Sequence, residues 1–289
     1  MARLGALLWP AIGALALGCS GASGGNRPAA SQPPRPQFQE RPEPRGSQRS
    51  LVLACNEWWP YAGRAGAERE GFAVDLVRAA LARIGYRLDY RTRPWVRCVQ
   101  EMRERKVDGV LAAYRVPGRN WLCGEVPLGL GPEGGVDFAV LKRRGSGWRF
   151  RGPESLGSAK LAVVEGYHYP EPIEGRLYRG DRKGLVVVSG EDPTARLLRA
   201  VASGRVDATV ENRAVLQAAL AESPELRDRL EEAGSLPGWK AYVQLRPDLP
   251  GARELLRELD RALLDVYRSP EFPRILKRYG LRPAVASAP

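Results

Sequence analysis

Apolar and polar positions along this chain fall into blocks that change period. Leu51-Val-Leu-Ala-Cys55 is a short apolar run of the kind a buried strand makes, and Phe72, Leu76, Ala79, Ala80 and Ile84 then recur at helical spacing. Tyr86 to Tyr90 alternates as a second strand, Val96 to Arg105 reads as a second helix, and Val107 to Ala112 as a third, buried strand. Strand and helix in alternation predict a parallel sheet covered on both faces. An extended segment at Val136 to Leu141 follows, and the theme restarts. Lys160 to Val164 is a strand ending at a Gly166 turn, Gly184 to Val188 is extended, Thr194 to Ser203 is helical and Val206 to Val210 is a strand. Trp239 to Leu245 is again extended and precedes helices over Gly251 to Tyr267 and Phe272 to Tyr279. The pattern predicts an α/β protein of two lobes joined by two crossings.

The first 50 residues do not share this pattern. One positive charge at Arg3 precedes an uncharged, largely apolar run from Leu4 to Leu17, which is the layout of a signal peptide. Such a run is shorter than the roughly 20 apolar residues a permanent span needs, so residues 1–18 are expected to be removed. Leu15-Ala16-Leu17-Gly18-Cys19 resembles a bacterial lipobox, with Ala16 where Leu is commoner. That resemblance implies a lipoprotein whose lipidated Cys19 is its membrane anchor. Residues 19–50 are Pro, Ser, Gly, Gln and Arg with almost no apolar content, too little to offset the entropy of ordering, and are read as a flexible tether. No later segment is apolar enough to cross a membrane.

Charge and cysteines narrow the function classes. Lys and Arg number 45 against 33 Asp and Glu, a formal net charge of +12. The excess is scattered arginine without a dense basic block or a nucleic-acid motif, so a solvated basic surface is expected and nucleic acid is not, while an anionic solute suits the charge. Beyond Cys19, the residues Cys55, Cys98 and Cys123 lack the close paired spacing of a zinc or redox site. One histidine, His168, with no nucleophile or ligand set beside it, is read as a rim residue. No metal, cofactor or catalytic residue is expected.

Several segments then occur in a telling order. They are Trp59-Pro60-Tyr61 after the first strand, Gly71-Phe-Ala-Val-Asp75-Leu opening a helix, Pro94-Trp95-Val96-Arg97 before the next, and Lys106-Val-Asp-Gly109 leading to Arg119. Val164-Glu-Gly166-Tyr167, Ala202-Ser-Gly-Arg-Val-Asp207-Ala-Thr-Val-Glu211 and Ile275-Leu-Lys-Arg-Tyr279-Gly280 follow. From about Leu51 to Leu281 the chain resembles the extracellular (periplasmic) solute-binding proteins of family 3, the polar amino-acid-binding type. The resemblance implies a periplasmic-binding-protein-like fold, with lobe 1 made of residues 51–139 plus 243–285 and lobe 2 of residues 140–242. It implies hinges near Val136 to Leu141 and Trp239 to Leu245, and a ligand cleft between the lobes. It further implies amino-acid transport, in which a monomer in the periplasm or at the cell surface hands its solute to an ABC transporter permease.

The resemblance also assigns residues. Arg119 stands where the family grips a ligand carboxylate, a task suited to a permanently charged bidentate fork, although Arg115 precedes it where the family has Thr, so Arg115 is a second candidate. Glu211 stands where the family has an Asp that holds an ammonium. Gly166 and Tyr167 are expected at a helix N-terminus, whose free N–H groups suit an anion. Trp58, Trp59, Tyr61, Trp95 and Tyr114 gather at strand C-terminal ends, where open α/β sheets bind ligands, with Trp59 and Tyr61 the first expectation and Arg97 on the same wall. In the implied strand order Cys55 and Cys98 are neighbours and a possible disulfide, with Cys98 to Cys123 as the alternative. Two other functions stay open: a dehydratase-like cleft enzyme, with Glu165 or Glu211 as its acid or base, and a ligand sensor acting on a signalling partner in trans. A fused sensor is not expected, because no membrane helix occurs before Pro289.

Overall fold

A computed structural model describes residues 49–283. The signal segment, the lipobox at Cys19 and the tether up to residue 48 lie outside the described residues, while Arg49 and Ser50, expected to end the tether, begin the first strand. The chain runs β1 (Arg49–Cys55), α1 (Phe72–Arg83), β2 (Tyr86–Thr92), α2 (Trp95–Arg103), β3 (Gly109–Tyr114) and β4 (Leu122–Cys123). It continues as β5 (Val136–Arg143), β6 (Leu161–Val164), α3 (Ile173–Tyr178), β7 (Leu185–Val188), α4 (Pro193–Ala202) and β8 (Ala208–Asn212). It ends with α5 (Arg213–Glu222), α6 (Pro224–Arg227), β9 (Leu230–Trp239), β10 (Ala241–Leu245), α7 (Ala252–Arg268) and α8 (Glu271–Arg278).

The strands form two five-stranded sheets, ordered β2-β1-β3-β10-β4 and β7-β6-β8-β5-β9. In each, three parallel strands come from strand-helix units and the last two positions are antiparallel. The expected wholly parallel sheets are therefore mixed. The fourth strand of each sheet is the one that adjoins a crossing: β10 in the first, β5 in the second. Because β5 lies in the second sheet from Val136 and β10 in the first from Ala241, the chain changes lobes before Val136 and again at Lys240.

Both lobes anchor their third parallel strand in the same way. Asp108 N donates to Val52 O at 2.8 Å while Val52 N donates to Asp108 Oδ2 at 2.9 Å. Asp207 N donates to Lys160 O at 2.8 Å and Lys160 N returns the bond to Asp207 Oδ2, also at 2.8 Å. The Lys-Val-Asp-Gly and Arg-Val-Asp-Ala segments are thus one device used twice, satisfying the backbone where a strand enters its sheet.

The first-lobe core gathers Leu53, Phe72, Leu76, Leu81, Leu259 and Val266 from β1, α1 and α7. The second lobe packs Leu197, Val201 and Leu216 on one face of its sheet and Phe138, Leu161, Val163 and Ile173 on the other. No helix among the described residues is long and apolar enough to cross a membrane. The entry to α1 is fixed by Gly71, at φ 109°, whose N–H donates to Tyr279 Oη at 3.1 Å while that hydroxyl donates to Asp75 Oδ2 at 2.7 Å. A Cβ at Gly71 would lie 2.3 Å from Tyr61 O. Gly71→Ala should therefore cost more than about 2 kcal/mol, from a backbone conformation L-residues avoid plus a collision with backbone atoms. A denaturant midpoint near that of the parent would show that the turn yields without cost.

Candidate functional site

Cys55 ends β1 level with the first residues of β3, since Leu53 pairs with Gly109 and Ala54 with Val110, and β3 runs on past it to Tyr114. Trp58 N donates to Ala62 O at 2.7 Å, closing a tight loop that turns Trp58 and Tyr61 inward, stacked at 4.5 Å, and leaves Trp59 outside. A cavity of about 40 Å³ lies between Asn56, Trp58, Trp95, Ala112, Ala113, Tyr114 and Arg119 of the first lobe and Tyr167 and His168 of the second. Across it the lobes touch through polar atoms. Trp95 Nε1 donates to Gly166 O at 3.0 Å, Asn56 Nδ2 to Tyr167 Oη at 2.5 Å, Trp58 Nε1 to Glu211 Oε1 at 3.2 Å, and Asn212 Nδ2 to Tyr61 Oη at 3.4 Å.

Arg119 is the cation of this cavity. Its guanidinium lies 4.5 Å from the Trp121 ring and 5.5 Å from the Trp95 ring, and its one hydrogen bond among the described residues is a long one, from Nη1 to Tyr114 O at 3.5 Å. It forms no ion pair with any described carboxylate, and burial brings its pKa down to about 10. Glu174, whose charge pulls the other way, is engaged elsewhere: Oε1 meets His168 Nδ1 at 2.6 Å and Oε2 accepts from Tyr169 N at 2.8 Å. A charged donor with open sites, held against two indoles, is equipped to take an anion.

Glu211 is the opposite case. It lies within β8, two residues further into the strand than the alternation suggests, and is 2 % exposed. Oε1 accepts from Trp58 Nε1 and, at 2.7 Å, from Asn212 N, while Oε2 and the nearby Tyr114 Oη are buried without partners. Glu211 is not among the residues that line the cavity; Trp58 and Tyr114, which do, are its neighbours. Burial with no cation in reach raises its pKa to about 7.

Of the residues expected at the site, Trp58, Trp95, Tyr114, Arg119 and Tyr167 line the cavity. Tyr61 supports Trp58 from behind, and Trp59 packs outside, 5.4 Å from the Tyr279 ring and under Arg69 at 5.3 Å. Arg97 is exposed and donates to Gln100 Oε1 at 2.7 Å. Two residues along α2 turn it about 200° away from Trp95, which faces the cavity. Arg115 is also outside, paired with Glu125 at 3.3 Å and stacked on Tyr242 at 4.9 Å. Gly166, at φ 75°, makes the turn after β6, but α3 begins only at Ile173, so no helix N-terminus stands there; its carbonyl receives Trp95 instead. Asn56 was not singled out by sequence, and nothing in its pattern marks it. Cys55, Cys98 and Cys123 are free thiols in the structure, the first two buried, with the pKa of Cys98 raised to about 12 by burial. No group of three His, Cys, Asp or Glu among the described residues is placed to hold a metal ion.

The Glu211 carboxyl gives stability a pH dependence. Folded, it keeps a proton up to about pH 7, whereas in the unfolded chain it releases that proton near the ordinary value of 4.5. Between those values the folded state binds more protons, so stability should fall as pH rises, by about 3 kcal/mol in all. Glu211→Gln should remove that slope, leaving stability near pH 4 unchanged and raising it at pH 8. Parallel urea-denaturation profiles for the two proteins across that range would refute this account of the carboxyl.

No family model matches the chain, and no curated protein matches it. Solved structures do. A histidine kinase sensor domain with similarity to periplasmic binding proteins superposes with a TM-score of 0.66 at 20 % identity, over 82 % of this chain and 99 % of that one. The P235GK mutant of ArgBP from T. maritima gives 0.63 at 18 % identity, over 80 % and 95 %. The GluR0 ligand-binding core from Nostoc punctiforme, in complex with L-glutamate, gives 0.60 at 18 % identity, over 79 % and 98 %. At these identities the likeness is one of fold, and the fold is that of the two-lobed periplasmic-binding-protein-like α/β proteins.

Proposed function

We propose that this chain is a solute-binding protein that captures a small, carboxylate-bearing solute between its lobes. The observation that carries the reading is Arg119: a guanidinium at the interlobe cavity, stacked on two tryptophans and without a carboxylate partner among the described residues. A partly buried guanidinium that is offered no carboxylate by the described residues is suited to receive an anion from outside. Proteins of similar fold that bind arginine, glutamine and L-glutamate support a small, carboxylate-bearing solute.

The wider reading is export by residues 1–18, lipid anchoring at Cys19, and delivery of the solute by a monomer on its tether to an ABC transporter permease. It rests on the order of segments in the sequence. An oxidising compartment would suit a disulfide between Cys55 and Cys98, or in the alternative between Cys98 and Cys123, all three of which are free thiols in the structure. A second reading, a ligand sensor acting on a partner in trans, is favoured by the similarity to a histidine kinase sensor domain. Binding rather than turnover is the expected chemistry, because the buried acid Glu211 does not line the cavity.

A thermal-shift screen of the purified protein against carboxylates tests the reading, since a ligand that binds the folded state alone raises the melting temperature. Arg119→Ala should weaken the best carboxylate by about 10- to 100-fold, the equivalent of losing roughly 1.5–3 kcal/mol of charged hydrogen bonding. A carboxylate bound equally well by Arg119→Ala would remove Arg119 from the site.

A further inference from the structure

We infer that the cleft selects short monocarboxylates without an amino group, in the size range from acetate to butyrate, over the corresponding amino acids. The inference rests on the carboxylate-capture reading and names the class of solute.

Size is the first argument. A cavity of about 40 Å³ compares with the roughly 10–15 Å³ that one water needs, so the room is that of about three waters. A carboxylate with a short tail fills that recess, which is partly open, whereas a side chain as long as that of arginine would have to project out of it. The closure is built from large groups, with the Trp58 and Tyr114 rings 5.6 Å apart and the Tyr114 ring wedged 5.4 Å from Trp239.

Charge is the second. Only one fixed charge lines the cavity, and it is positive. No carboxylate among the described residues lines it: Glu174 is taken up by His168 and Tyr169, and Glu211 by Trp58 and Asn212 N. An ammonium confined in so small a space would lie near the Arg119 guanidinium with no counter-ion, and like charges in a desolvated site repel strongly. Aromatic faces are no substitute, since Trp95 already stacks with Arg119. Surface chemistry is the third argument. Ala112, Ala113 and the Trp58 and Trp95 rings give the rest of the wall an apolar character suited to methyl and methylene groups.

The experiment is calorimetric titration of the wild-type protein and of Arg119→Gln with matched ligands: acetate, propionate and butyrate against glycine, alanine and 2-aminobutyrate, with arginine and glutamate added. Propionate or a neighbour should bind with an affinity lost in Arg119→Gln, and its amino counterpart should be at least tenfold weaker, about 1.4 kcal/mol. An amino acid that binds within tenfold of its des-amino counterpart, or more tightly, in an Arg119-dependent way overturns the inference and leaves carboxylate capture standing. Failure of every ligand up to about 10 mM, or binding indifferent to Arg119→Gln, overturns both.

Discussion

Tyr114 packs against the hydrophobic cores of both lobes. Its ring meets Trp58 edge-on at 5.6 Å on the first-lobe side and Phe138 and Trp239 at 5.7 and 5.4 Å on the second, and Phe138 and Trp239 pack on each other at 5.5 Å. Trp58 in turn stacks on Tyr61, which packs on Phe72 at the head of α1. An unbroken row of rings therefore runs from the core of one lobe to the core of the other. Edge-to-face contacts are directional and worth about 0.5–1.5 kcal/mol each beyond their buried area, so the row sets distance and angle between the lobes as well as holding them. The cavity, the placing of Trp58 over Glu211 and the support of Arg119 by the Tyr114 carbonyl all follow from that row.

Two charges sit beside it, and the protein treats them differently. Glu211 is deeply buried, reached by two donors on one oxygen and none on the other, and held close to neutrality. Such a group is costly to stability in its charged form, and its proton relieves the cost. Arg119 is only half buried and keeps its charge, because aromatic faces solvate a guanidinium without consuming its hydrogen-bond donors. The Arg119 guanidinium lines the cavity, while Glu211, behind Trp58, adds negative charge only as it ionises near pH 7.

Much of the architecture was legible in the sequence because the first-lobe strands and helices carry their periodicity in apolar residues: β1, α1 and β3 are buried along most of their length. Strand β9 was not. Leu230–Trp239 contains charge, Gly and Pro and is held in a strand by pairing with β5 along most of its length, a tertiary effect that local pattern does not encode. Helix α5 directly follows Asn212, whose side chain accepts from Ala214 N and Val215 N; that cap was visible, but its helix was passed over. Arg119 and Tyr167, singled out by motif order, stand on the cavity wall. The choice between Trp58 and Trp59 could not be made from motif order, since adjacent tryptophans differ only in which way a four-residue loop turns them. Arg97 is carried to the exposed face of α2 by the 100° step of a helix, which its place two residues after Trp95 does encode.

The sheet orders carry a consequence for how the molecule assembles. Every strand of the second sheet comes from the continuous stretch Val136–Trp239, so that lobe is complete in the chain before β10 begins. The first sheet is different: β10, which pairs with both β3 and β4, arrives only after the whole second lobe has been threaded, and α7, which packs on α1, arrives later still. Pairings this distant in sequence form late, because loop closure must be met before the contact returns anything. During synthesis the first-made lobe is therefore the last to close, and until it does the inner edge of β3 is an open strand, the kind of surface on which nascent chains pair wrongly.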